Sequence, residues 1–216
     1  MVALAESMGS DSSSGELTRN KIMDAAEGLI VANGFAATSL RAIANAAGVN
    51  LAATHYHFGS KRGLLAAVFH RRMGPMGCTR LAALTELEAS GEPLTVRAIL
   101  QAFFAPFQEA EGAELPILQG LVACIYAEPP SLTESHLEDE FSETISRFVA
   151  ALCASCPGVR EEEMRWRFHF MIGSMIQFLK FDVPLGFERE DGDFQEGLKR
   201  LLVFAEKGIQ QSGDDL

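Results

Sequence analysis

The twenty residues from Ser39 to Phe58, SLRAIANAAGVNLAATHYHF, leave the chain little freedom. Gly48 stops one helical pattern, Asn50 can cap the next at once, and only Gly48 and Val49 separate the two. Ahead of them lies TRNKIMDAAEGLIVANG, in which Ile22, Ala25, Ala26, Leu29 and Ile30 fall on one helical face. Asn33-Gly34 ends that helix, Thr38 or Ser39 can cap the second, and Leu40, Ile43, Ala44 and Ala47 form its buried stripe. Two short helices joined by a tight glycine turn and packed on a longer first helix make a helix-turn-helix. The alanines at 42, 44, 46, 47, 52 and 53 let these helices approach closely.

In such a motif the start of the last helix enters the major groove, and neighbouring hydroxyls, aromatics and cations hold phosphates. Leu51, Ala52, Ala53 and Thr54 are compact enough for deep entry, with Leu51 able to touch thymine methyls. Arg41 is the candidate for a bidentate guanine contact, Asn50 stands at the helix entry, and Ser39, His55, Tyr56 and Lys61 are candidates for the backbone. Charge agrees locally though not globally. The chain carries a net charge of −11, yet from Thr18 to Arg72 seven lysines or arginines face two acids. A basic module joined to an acidic body is expected, divided as a flexible leader 1–17, a DNA-binding unit 18–62 and a helical unit 63–216.

TSLRAIANAAGVN, then YHF, then SK followed by leucines resembles the DNA-binding domain of the TetR family of bacterial repressors, over about Arg19 to Phe69. The NLAA and YHFGSK wording is similar to that of fatty-acid-responsive members. Two residues depart from the family pattern: Ala52 stands where many members have glycine, and His55 where many have tyrosine. The resemblance implies an all-α homodimer that binds a palindromic operator as a repressor and releases it when a small molecule occupies its C-terminal bundle.

The remaining stretches read as helices with turn signals between them, and no segment alternates as a strand. Gly74-Pro75 is expected to interrupt or kink the fourth helix. Leu137, Phe141, Ile145, Phe148 and Leu152 line one amphipathic seam, headed by the acids Glu134, Glu138, Asp139 and Glu143. From Met164 to Phe181 apolar residues occupy most of the circumference, so that helix buries more than one side, against its own bundle and a second subunit or wholly within one monomer. Phe141, Ile145, Phe148, Phe168, Ile172 and Ile176 are the expected dimer contacts. Phe103, Phe104, Phe107, Leu118, Leu121, Val122, Ile125 and Tyr126, with Met171 and Met175, are the candidate walls of a pocket, or else ordinary core.

A hydrophobic effector, a fatty acid or acyl-CoA, fits such walls, with Arg97, Arg165, Arg167, His136 or His169 as candidate head-group partners. No cofactor or metal is expected. His55 and His57, two apart on a helix, point roughly 200° away from each other, and the CxxC of Cys153 and Cys156 has no second pair at zinc spacing. An enzyme has little support, because the five histidines form no spaced pair and no nucleophile motif appears. A protein-interaction module retaining the fold is the remaining alternative. No apolar run approaches a membrane span, and the acidic balance and free thiols suit the cytoplasm.

Overall fold

The computed structural model describes the backbone of residues 3–109, 114–127, 130–181 and 193–211, and side chains within 14–108, 115–122, 141–180 and 194–211. The described residues form nine helices: α1 (Ala3–Asn33), α2 (Leu40–Ala46), α3 (Leu51–Phe58), α4 (Lys61–Ala89), α5 (Val96–Glu109), α6 (Glu114–Ala127), α7 (Pro130–Ser155), α8 (Glu161–Phe181) and α9 (Asp193–Gln210). Helix α1 begins at Ala3, inside the stretch expected as a leader. Helix α4 continues through Pro75, so of the interruption or kink expected there the interruption does not occur. Proline removes one backbone donor, but packing along both flanks carries the helix past it.

Two apolar cores divide the molecule. The first joins Ile22, Met23, Ala26 and Ile30 of α1 to Ile43 of α2 and to Leu64, Leu65 and Val68 of α4. The second gathers α4 from Phe69 onward with α5, α6, α7, α8 and α9, around Phe103, Phe104, Phe148 and Phe168. The N-terminal core thus extends to Val68, beyond residue 62, because nearly two further turns of α4 are needed to cover α1. Helix α6 serves both: Leu121 and Ile117 pack into the first core, Leu118 and Val122 into the second.

The two acids of the basic segment are engaged between α1 and α4. Arg72 donates from Nε to Glu27 Oε2 at 2.8 Å and from Nη2 to Oε1 at 2.5 Å, while Arg71 bridges Glu27 at 3.0 Å and Asp24 at 2.7 Å. Burial pushes the Glu27 carboxyl up, but the hydrogen bonds and charges of Arg72 and Arg71 outweigh it and hold the group below its ordinary 4.5. A carboxyl whose folded value is depressed contributes stability above its unfolded value and loses it as pH falls through the folded value. Glu27→Gln is therefore expected to cost about 2 kcal/mol at neutral pH, below the fully buried range because both arginines are partly exposed. Urea denaturation of both proteins should show that gap closing below pH 4.5; a gap independent of pH would contradict the assignment.

Two of the expected dimer contacts are corrected by the core. Phe148 is 0% and Phe168 1% exposed, and both rings meet Phe103 edge-on, at 5.2 and 5.1 Å. Their seam faces α5 of the same chain, which a helical wheel of α7 or α8 alone does not reveal. The expected seam residue Leu137 and the acids Glu134, Glu138 and Asp139 lie outside the described side chains, as do Ile125, Tyr126 and His136.

Candidate DNA-contact surface and internal cavity

Local capping sets the angle of α3. Ser39 caps α2, its Oγ accepting from the Ala42 N–H at 3.1 Å, while Thr38 is buried and donates to the Gly34 carbonyl at 2.8 Å. Gly48 takes φ +67°, a left-handed conformation unfavourable for other residues, and the Asn50 Oδ1 accepts from Ala53 N–H at 2.7 Å to start α3. Gly59 repeats the device after Phe58 with φ +68°, and Ser60 caps α4.

This geometry divides α3 into an inner and an outer face. Thr54, 1% exposed, and the half-buried Phe58 turn toward the core; Ala52, His55 and Tyr56 stand outside. Tyr56 is 86% exposed, an aromatic ring held out in solvent with His57 at its edge. Arg41 and Ser39 are exposed on the preceding helix and its cap, and Leu51 and Ala53 are half-buried at the start of α3. The His55 Nδ1–H donates to the Gly59 carbonyl at 3.1 Å, which fixes that ring at the end of α3. Lys61 has partners within the chain: its Nζ donates to the Ala36 carbonyl at 3.3 Å and lies 4.2 Å from the Phe35 ring centre. It thereby ties the start of α4 to the loop before α2.

The second feature is a partly open cavity of about 370 Å³ lined by α4, α5, α6, α7 and α8. Of the nominated pocket residues, Phe103, Phe107, Val122 and Met175 line it. Phe104, Leu118 and Met171 are buried in the surrounding core, and Leu121 belongs to the N-terminal core. Phe141, Ile145, Ile172 and Ile176, expected at a dimer contact, also line the cavity. The exposed His169 belongs to the lining too, so the cavity reaches the outer side of α8 there.

Sequence reasoning missed the most unusual wall residue. Arg80 is 4% exposed; its Nε donates to the Phe103 carbonyl at 2.8 Å, and the guanidinium stacks 4.1 Å from the Phe103 ring centre and 5.5 Å from that of Phe107. Burial pushes it down to about 10, which leaves it charged at neutral pH. The signal was present: Phe69, Met73, Met76, Arg80 and Leu84 share the buried phase of α4, so a cation falls where an apolar residue is due. Arg97, Arg165 and Arg167, nominated instead, pair with Glu206, Glu161 and Glu163.

The second apolar side expected of α8 falls on residues other than the nominated dimer contacts. Trp166 and Phe170 on α8 are 55% and 63% exposed and stack at 5.8 Å, and Val203 and Phe204 on α9 are 46% and 65% exposed. Their i, i+4 spacing opposite Phe168, Met171 and Met175 was legible as a second stripe. Among the described residues no cluster of three His, Cys, Asp or Glu could hold a metal. Burial raises the thiols of Cys153 and Cys156, so neither is an activated thiolate. Among them, too, no helix is long and apolar enough to cross a membrane.

Comparison with known proteins gives concordant results. Residues 22–68 match the model of bacterial regulatory proteins of the tetR family, and residues 98–208 that of the tetracyclin repressor-like C-terminal domain. The HTH-type transcriptional regulator SrpR of Pseudomonas putida is 38% identical over 106 residues, 49% of this chain and 48% of its own length. TtgW, an uncharacterized HTH-type transcriptional regulator also from Pseudomonas putida, is 38% identical over 48% of this chain and 75% of its own. The chain thus spans about half the length of the first of these relatives. A solved TetR-family regulator from Shewanella sp. PV-4, 18% identical, shares the fold with a TM-score of 0.64 over 89% of this chain and 96% of that one.

Proposed function

The chain belongs to the TetR family of bacterial transcriptional regulators, and from that membership we propose that it is a homodimeric repressor whose two helix-turn-helix units read a palindromic operator and release it when a hydrophobic, acyl-type molecule fills the cavity. The carrying observation is the outer face of α3, where Ala52 and Tyr56 stand in solvent, together with Arg41, exposed on the preceding helix. A small side chain lets the helix sit deep in the groove, a projecting phenol reaches a phosphate, and an arginine reads a guanine edge. Lys61 acts in this scheme by fixing the loop before α2 as well as by its charge.

Dimerisation is supported by the apolar face of α8 and α9. Four large apolar side chains left exposed on two helices that pack together suit an interaction surface. Gly173 and Gly208 lie on the same helices with nothing near an added Cβ. Mid-helix glycine costs about 1 kcal/mol against alanine, and close approach of a partner helix gives it a use.

Coupling between cavity and DNA is supported by α6. Val122 is in the cavity wall, the adjacent Leu121 is in the N-terminal core, and a Cβ on Gly120 would lie 2.9 Å from Val31 Cγ1 of α1. A ligand that displaces Val122 moves the surface on which α1 rests, so it binds the two arrangements with different affinity and shifts their populations.

Fluorescence anisotropy with a labelled operator tests the proposal. Tyr56→Ala is expected to weaken binding to all duplexes alike with the salt dependence unchanged, since a phenol carries no charge, whereas Arg41→Ala relaxes base choice at one position per half-site by about 1–3 kcal/mol. Equal effects of both on specific and scrambled duplexes would contradict the assignment of Arg41.

A further inference from the structure

We infer that the cavity selects a free carboxylate, held by Arg80, on an apolar tail; this deepens the ligand-responsive reading above and rests on it. An arginine 4% exposed normally has a carboxylate or several carbonyls around it. Arg80 has one carbonyl, that of Phe103, and two aromatic faces, and no acid among the described residues pairs with it. The Phe103 carbonyl engages only Nε, which leaves the four N–H groups of the two Nη atoms without a protein acceptor among the described residues.

The orientation suits a ligand better than it suits the fold. One hydrogen bond and one stacked ring fix the plane of the guanidinium, and the side chain belongs to the cavity lining. A planar fork held in place beside an apolar cavity matches the two oxygens of one carboxylate. Thr144, 2% exposed, adds a second hydrogen-bonding side chain to the same wall. Apart from His169 at its exposed edge, the other walls are phenylalanine, methionine, valine, isoleucine and leucine, whose low polarity strengthens the ion pair. A volume of about 370 Å³ lies at the small end of ligand sites, so it suits a short or medium tail with one charge.

That chemistry separates three kinds of amphiphile. An alcohol of the same length offers one weak partner to the guanidinium, an amine places a like charge beside it, and a thioester removes the anionic head from the position opposite Arg80. The free acid alone satisfies the fork.

Calorimetric titration of the full chain, without DNA, with decanoate, decanol, decylamine and decanoyl-CoA decides the matter independently of operator binding. The expected result is one decanoate per protomer, bound about thirtyfold or more tighter than decanol, with decylamine and the thioester weaker still. Arg80→Met should abolish the preference for acid over alcohol while decanol still binds. Arg80→Lys, which keeps charge and loses the fork, should retain a reduced preference. Equal binding of acid and alcohol, equal binding of acid and thioester, a preference that survives in Arg80→Met, or binding of none of the four overturns the inference. Loss of operator recognition in a separate DNA titration would instead remove the regulator reading and leave this site standing.

Discussion

Phe170→Glu combined with Phe204→Glu is expected to convert the protein to a monomer and to lower operator affinity by about a hundredfold or more, the scale set by linking two modest binding events. Both side chains are more than three-fifths exposed in the single chain, at 63% and 65%. Replacing them therefore removes little from the protomer's own core, and helicity and the thermal midpoint at dilution should change little. The same positions, placed against their symmetry mates, would bring four carboxylates into an apolar interface, where unpaired charge is strongly unfavourable. Sedimentation velocity reads the assembly state and anisotropy the affinity. A double variant that stays dimeric would place the interface elsewhere on the molecule.

Gly63→Ala should disable DNA recognition through a single methyl group. A Cβ at Gly63 would stand 2.3 Å from the Phe58 carbonyl oxygen, a backbone atom at the end of α3 that cannot swing aside. The first turn of α4 must then move away from α3, and overpacking of this kind costs about 1–3 kcal/mol. The larger effect falls on α3, whose position is set by the short Gly59-Ser60 connection to α4. A displaced α3 mismatches the groove in both half-sites, so operator affinity should fall at least about tenfold while the dimer persists. Gly28→Ala is the internal control, since Gly28 lies within α1 with nothing within 4 Å of an added Cβ. It should raise stability by about 0.5–1 kcal/mol and leave DNA binding unchanged. Equal behaviour of the two variants would contradict the close-approach account of Gly63.

The N-terminal module was the more legible part because its signals are local. Caps at Ser39 and Asn50, a left-handed Gly48 and the i, i+3, i+4 stripe of α1 each act over a few residues, and each appears where the spacing predicts. The body was legible as helices but not as an arrangement. Phe148 and Phe168 looked like surface contacts because α7 and α8 are apolar on several sides, and only the packing of α5 against them decides which side is interior. Phe141 and Ile176, nominated for the same contact, also line the cavity. Arg80 illustrates the opposite failure: its out-of-phase charge was visible in the sequence, whereas the arginines nominated for the head group have surface or terminal partners. Helix α4 continuing past Pro75 shows tertiary packing carrying a helix through a residue that locally favours ending it.

From Ile22 to Val68 local and global signals agree, and this consistency gives the DNA-contact surface its definition. The acidic body does not conflict with it. Net charge describes the whole molecule, whereas groove binding depends on the few cations and dipoles near the phosphates.

Selection of duplexes from a random pool by the purified full chain, followed by anisotropy on the enriched sequence across salt, tests the central claim most directly. The account predicts one enriched palindrome with half-sites about one helical turn apart, bound by two protomers with a steep salt dependence and released by decanoate. Failure of any sequence to enrich, with binding no tighter than to a scrambled duplex, would contradict it.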